Sequence, residues 1–319
     1  MSTDVRVGTD DGGIARARSL LGKLGWLRAD DAAATPITRL GGLTNLVFRI
    51  EHGSGRYVLR IPGRGTEEYI NRGHEAQAAR ETARVQVSPE VLHFDTVSGV
   101  MITRYVDDAV TMTPQIFRSR PGAPSRAGEV LRRLHRSDAR FAFRFELFAM
   151  IDDYLKVLAG KDIALPPGYH ELVAEAGSVR AALAAHALPL AACHCDPLCE
   201  NFLDTGERMW LVDWEYSGMN DPLWDLGDVS IEAGFDSAQD EQMIRAYFGG
   251  EPRPAERGRI VIYKAMCDLL WTLWGLIQHA NRNPVDDFWA YSLGRFERCK
   301  TLMSGADFAR HVGNVRIGK

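Results

Sequence analysis

HCDPLCENFLDTGERMWLVDWE, residues 194–215, is the stretch on which the reading of the fold turns. Asp196 and Asn201 stand five residues apart in a loop that enters a strand, and Asp213 ends the strand that follows. A loop running into a hairpin can bring its two polar side chains beside a carboxylate at the hairpin's far end. One acidic group able to act as a base, with an amide and a second carboxylate as oxygen ligands, is what phosphoryl transfer needs, because magnesium is a hard ion that keeps only a few protein oxygens. Taken one at a time, the three residues read as ordinary loop residues and a strand end. It is the three together, with what flanks them, that carry chemistry. Cys193, His194, Cys195 and Cys199 invite a zinc reading, but adjacent strand residues point to opposite faces and no distant Cys-x-x-Cys pair completes a tetrahedron. The thiols are read as packing residues.

Working outward toward the N-terminus, LVFRIEHGSGRYVLRI, residues 46–61, alternates apolar and polar about a Gly-Ser-Gly turn, a β-hairpin signal. Residues 14–27 and 67–85 read as helices, and VSPEVLHFD and VSGVMITRYV as strands, so the first hundred or so residues form a small strand-rich lobe. From about Ala127 helical periods take over (GEVLRRLHR, FELFAMIDDYLKVL, ELVAEAGSVRAALAAH), interrupted by the strand pair ENFLD and RMWLVDW. Residues 114–125, rich in proline, serine and arginine, read as a mobile loop.

With 319 residues, 45% hydrophobic and 25% charged, the chain can bury a full core as one large domain or two lobes. The net charge of −4 comes from 42 acidic and 38 basic residues with no basic block, which argues against nucleic acid or a membrane surface as partner. The best apolar run, residues 269–277, falls short of the roughly 18 residues a spanning helix needs. The first residues carry no secretory pattern, and five cysteines without framework spacing suit a reducing compartment, so the expectation is a soluble cytoplasmic protein.

His-x-Asp, Asn five residues after the Asp and a second Asp behind an apolar strand resemble the catalytic segment of the protein-kinase-like phosphotransferases, the branch holding aminoglycoside and choline kinases. WEYSGMNDPLWDLGD (residues 214–228) resembles choline kinases closely, joined upstream by GGLTN, YVLRIPG and TEEYINRGHE, and the similarity covers about residues 40–296. The resemblance implies a two-lobed protein-kinase-like α+β fold, with a small strand-rich lobe over residues 1–105 and a larger, mainly helical lobe over 106–319. ATP and Mg2+ would bind between them. Carried over by position, Asp196 would receive the substrate hydroxyl's proton, His194 would brace the loop, and Asn201 and Asp213 would be the magnesium ligands. Gly41, Gly42, Thr44 and Asn45 fall where the family has its nucleotide loop, with exposed N–H groups that can cradle phosphates. Arg60 takes the place of the phosphate-binding lysine, with Glu75 as its ion-pair partner.

For the acceptor, Trp271 and Trp274 share one face of a late helix and Tyr291 follows on the next. Such a stripe is commonly core, yet it resembles the W-x-x-W helix and tyrosine that line the family's choline pocket. Tyr216 and Glu232 match the remaining pocket positions. A trimethylammonium has no N–H to donate and is recognised by aromatic faces, with a carboxylate balancing its charge, so the implied reaction is choline to phosphocholine. Ethanolamine, an aminoglycoside or another amino alcohol is the rival acceptor, and a catalytically silent binding protein on the same scaffold is the non-enzyme rival. Asp225 is expected to brace the catalytic loop. Cys195 and Pro197 depart from the asparagine and leucine commoner in the family, and the family's aromatic position near Ser237 is not aromatic here.

Overall fold

The computed structural model describes residues 11–28, 31, 34–41, 45–63, 70–284 and 286–319. In the N-terminal lobe, α1 (Asp11–Lys23) precedes β1 (Ile37–Arg39), β2 (Leu46–His52) and β3 (Gly55–Ile61). Then come α2 (Arg72–Arg84), β4 (Val91–Phe94) and β5 (Met101–Arg104). The five strands form one antiparallel sheet in the order β1-β2-β3-β5-β4. The β2–β3 hairpin turns on Gly53 and Ser54, with Leu46 opposite Ile61 and His52 opposite Gly55. Gly53 takes a positive φ of 60°, which a residue without Cβ adopts freely. The alternation then works as period two demands: Phe48, Ile50, Leu59 and Ile61 turn inward onto Ala17 and Leu21 of α1 and form one core.

Asn71 caps α2, its Oδ1 accepting from the N–H groups of Gly73 (3.0 Å) and His74 (3.1 Å). The helix expected from residue 67 therefore begins at Arg72, and residues 64–69 lie outside the described residues.

The C-terminal lobe opens with β6 (Val110–Thr111), α3 (Pro114–Ser119) and α4 (Ala123–His135). The loop expected at residues 114–125 is thus mostly helix. Pro114 and Pro124 sit in the first turns of the two helices, where the missing N–H costs nothing, and Thr113 Oγ1 accepts from Ile116 N–H at 3.2 Å. Phe117 of α3 is fully buried against Phe202 and Phe235, which anchors the segment.

There follow α5 (Leu147–Ala159), α6 (Tyr169–Ala185), β7 (Ala191–Cys193), a 3-10 turn (Cys199–Asn201), β8 (Phe202–Asp204), β9 (Met209–Leu211) and β10 (Gly218–Asn220). The chain ends with α7 (Leu223–Ala233), α8 (Ser237–Phe248), α9 (Pro254–Ala280), α10 (Phe288–Met303) and α11 (Phe308–Ile317). β6, β8 and β9 make one small sheet and β7 pairs with β10 in another. The larger core surrounds α9 and also takes in Ala76, Ala78 and Ala79 of α2, so the helix of the small lobe packs on the large one. By length and hydropathy (1.5 over its most apolar stretch) α9 could cross a membrane, but 78% of that stretch is buried inside the protein: it is the core helix. All five cysteines are buried and free.

Helices α4 and α8 meet at Gly128, where a Cβ would collide with the backbone carbonyl of Met243 and lie 3.1 Å from Tyr247 N. Backbone cannot swing away as a side-chain tip can. Gly128→Ala is expected to cost about 1–3 kcal/mol, read as a fall in Tm of several degrees. An unchanged melting curve would contradict the close approach.

Candidate active site

The catalytic loop is hung on a helix. Asp225, in the first turn of α7 and fully buried, accepts the N–H of His194 on Oδ2 (2.7 Å) and of Cys195 on Oδ1 (2.9 Å). Its Oδ2 also lies 3.0 Å from His135 Nε2, and the neighbouring Trp224 donates its indole N–H to Cys195 O at 3.1 Å. These bonds hold Cys195 in the left-handed region (φ 68°), so the chain turns sharply just before Asp196. His194 ties the loop to the end of the β8–β9 hairpin: its Nε2 lies 2.9 Å from Val212 O, which can only accept, so Nε2 carries the hydrogen. Burial depresses the imidazole's pKa and keeps it neutral.

Asn201 closes the arrangement. Its Nδ2 donates to Asp196 O at 3.1 Å, and its own carbonyl accepts the N–H of Val212 at 3.0 Å. Asp196, Asn201 and Asp213 are therefore brought together from one loop and one strand end. Burial, then the charges of Glu232 and Asp213, push the Asp196 carboxyl up to about 8, against an opposing pull from Arg295.

From the small lobe, Arg60 of β3 reaches the same place. Its Nη1 pairs with Glu75 Oε1 and lies 3.3 Å from Asp213 Oδ1, while Nη2 donates to Gly99 O at 3.1 Å. Asn45 donates through Nδ2 to Asp213 Oδ2 (3.4 Å) and accepts Gly63 N–H on Oδ1 (3.3 Å). Gly41 is exposed at the mouth of this loop, and Gly42 and Thr44 lie outside the described residues.

Arg72 bridges Glu75 (2.7 Å) and Glu215 (3.4 Å), linking α2 to the residues just after Asp213. Glu75, Asp213 and Glu215 each offer an oxygen within 4.8 Å of the others. Burial comes first and mutual repulsion next in raising the pKa of Glu215, to about 8, and burial likewise raises Asp213, itself held at φ 70°. Asp213 and Glu215 keep raised pKa values although Arg60 and Arg72 already touch the cluster, a crowding of carboxyls that a bound cation would relieve. The cysteine-rich set Cys193, His194, Cys195 and Cys199 does not form such a cluster among the described residues.

The acceptor candidates also converge. Tyr216 meets Trp271 edge to face (centroids 5.9 Å apart), Trp271 meets Trp274 (6.1 Å), and Trp274 meets Tyr291 (5.9 Å). Trp271 is buried, whereas Tyr216, Trp274, Tyr291 and Glu232 are partly exposed. Glu232 is the charged group that raises the Asp196 pKa most, so this aromatic run adjoins the catalytic loop.

Four participants escape a reading by sequence alone. Glu215 follows Asp213 by two residues, and Phe288 adds a ring 5.4 Å from Trp274. Arg72 lies one helical turn before Glu75, and Arg295 one turn after Tyr291, spacings that place each pair on a common face and could have flagged them.

The profile of the phosphotransferase enzyme family matches residues 36–257. A crystal structure of a choline/ethanolamine kinase family protein from Mesorhizobium loti is 65% identical, with a TM-score of 0.90 over 96% of this chain and all of that one. Choline kinase LicA from Streptococcus pneumoniae is 26% identical, with a TM-score of 0.74 over 91% of this chain and all of the other. Protein LicA of Haemophilus influenzae is 26% identical over 82% of this chain and 98% of its own length. With a two-lobed kinase-like fold and these relatives, the chain belongs to the phosphotransferase enzyme family, in its choline/ethanolamine kinase branch.

Proposed function

We propose that this protein transfers the γ-phosphoryl group of ATP to the hydroxyl of choline, giving phosphocholine. The observation that carries the choline reading is the run of four touching aromatic rings, Tyr216, Trp271, Trp274 and Tyr291, beside Glu232 and next to Asp196. A quaternary ammonium binds through methyl groups packed on aromatic faces, and the cation–π attraction reaches about 2 kcal/mol once water is excluded. Asp196, oriented by the loop that Asp225 suspends, positions the choline hydroxyl and takes its proton. Arg60, paired with Glu75 and fixed by Gly99, presents a charged fork to the nucleotide's phosphates, for which Gly41, Gly42, Thr44 and Asn45 are the nucleotide-loop residues implied by the family resemblance. Asn201 and Asp213, joined by Glu215, would hold Mg2+. Magnesium supplies neutralisation of the charge that gathers on the β- and γ-phosphates. The second reading, ethanolamine as acceptor, draws on the mixed name of the Mesorhizobium relative's family.

ADP release with choline, ethanolamine and no acceptor tests the reading. Choline is expected to be the preferred acceptor, and equal use of the two amines would argue for the second reading. Asp196→Ala is expected to lower kcat by about 10²–10⁴ with melting temperature and ATP binding near those of the parent. Turnover close to normal in that variant would sink the assignment of the base. Trp274, partly exposed where Trp271 is buried, is the ring to remove: Trp274→Leu should raise KM for choline roughly tenfold while kcat changes less. A fall in kcat at constant KM would place the tryptophan outside the choline pocket.

A further inference from the structure

A pocket built for a cation already contains one. Arg295, on α10 one turn beyond Tyr291 and itself buried, lays its guanidinium 4.7 Å from the centroid of the Tyr291 ring. Its Nη2 lies 2.7 Å from Glu232 Oε1, and its Nη1 lies 3.3 Å from Asp268 Oδ1. Asp268 is satisfied independently, because Arg298 grips both of its oxygens, Nε to Oδ2 at 2.7 Å and Nη2 to Oδ1 at 2.6 Å. The charge of Arg295 is therefore left for Glu232.

The other groups facing Glu232 do not restore a free anion. On α7, Asp228 is completely buried and accepts the Cys267 thiol at 2.9 Å, and burial, then Glu232 and Asp196, push its pKa well above the ordinary carboxylate range. On α9, Cys267 lies 4.0 Å from Glu232 Oε1, and burial keeps it a neutral thiol.

This arrangement treats substituted ammonium ions differently. A quaternary ammonium carries no N–H, so it loses nothing when the pocket's carboxylate is occupied. A primary ammonium brings three N–H donors, and donors left unmatched in a site shut off from water are costly. We propose that Arg295 is a specificity-determining residue: by pairing with Glu232 it withholds that carboxylate from the N–H groups of a primary ammonium, so that the aromatic faces select a fully methylated one. The proposal rests on the choline-kinase reading of the site and adds to it the reason one amino alcohol is preferred.

Arg295→Met removes the charge while keeping an unbranched side chain against Tyr291. The expected result is a fall of about tenfold or more in the ratio of kcat/KM for choline over ethanolamine, with ethanolamine gaining. Adding Glu232→Gln should abolish that gain, since the unmasked carboxylate is its source, and Arg295→Lys should keep the parental order of preference. A merely structural arginine predicts that both substrates lose equally and the ratio holds, and that outcome overturns the proposal.

A measurement on the unmodified protein keeps the proposal open to refutation even if the variants do not fold. Quenching of tryptophan fluorescence by tetramethylammonium and by methylammonium should show the quaternary ion bound more tightly by about tenfold, and equal affinities would overturn the proposal. If neither amino alcohol supports ADP release while the two ions bind in the expected order, the choline-kinase reading fails and only the pocket's preference for a quaternary ion stands.

Discussion

The site depends on one buried carboxylate. Asp225 sits in the first turn of α7 with no exposure to solvent, and it spends its oxygens on two consecutive backbone N–H groups of the catalytic loop and on His135. Consecutive amides converge on one carboxylate only if the chain curls around it, and this curl is what puts Cys195 in the left-handed region. A residue with a Cβ in that conformation costs on the order of 1 kcal/mol or more and persists only where neighbours over-determine it. Here the neighbours are Asp225, the indole of Trp224 and the packed wall of α9 behind them. The same helix carries Asp228 and Glu232 at successive turns of the face that Asp225 begins, so one element both suspends the base and supplies the acceptor pocket's carboxylate.

The second constraint is charge. Burial first, and acidic neighbours next, raise the carboxyl pKa of Asp196, Asp213, Glu215 and Asp228, with Glu232 among the neighbours of Asp196 and Asp228. Such a group of acids holds together because three arginines are threaded through it. Arg60 touches Glu75 and Asp213, Arg72 touches Glu75 and Glu215, and Arg295 touches Glu232 and Asp268. Two of the three come from the small lobe, so the electrostatics that keep the carboxylates tolerable also hold the lobes in register. The arginines do not cancel the site completely. Asp213 and Glu215 keep elevated pKa values despite Arg60 and Arg72, which leaves an attraction for a further cation on the nucleotide side.

What the sequence disclosed, and what it withheld, follows from the range of the interactions. The β2–β3 hairpin was legible because its alternation and its turn lie within sixteen consecutive residues. Asp196, Asn201 and Asp213 were legible because one loop and one hairpin position all three, and Trp271 and Trp274 because helical spacing alone puts them on a common face. Residues 114–125 misled, since proline and serine signal loops by frequency, whereas proline in a first turn and a buried Phe117 make helices. The pairing of Arg60 with Glu75 came through resemblance, because strand and helix are separated by residues that fix no register between them. The contacts of Arg72 with Glu215 and of Arg295 with Glu232 join segments far apart in the chain. No local pattern in either segment specifies its partner.

The two sides of the site solve the same problem in opposite ways. On the proposed nucleotide side the carboxylates are under-compensated, as a site that takes up a metal ion and a polyphosphate would require. On the proposed acceptor side the balance is complete in advance, with Arg295 on Glu232 and Arg298 on Asp268, and under the proposed function the recognition of a cation falls to ring faces. That division is chemically sensible, because a polyphosphate with magnesium is recognised by strong point charges. A trimethylammonium, with its charge spread over methyl groups, gains little from a carboxylate it cannot hydrogen-bond and more from polarisable surface. Asp196 stands at the seam, its pKa raised by burial, then by Glu232 and Asp213, and restrained by Arg295, so the proposed base is coupled electrostatically to both halves.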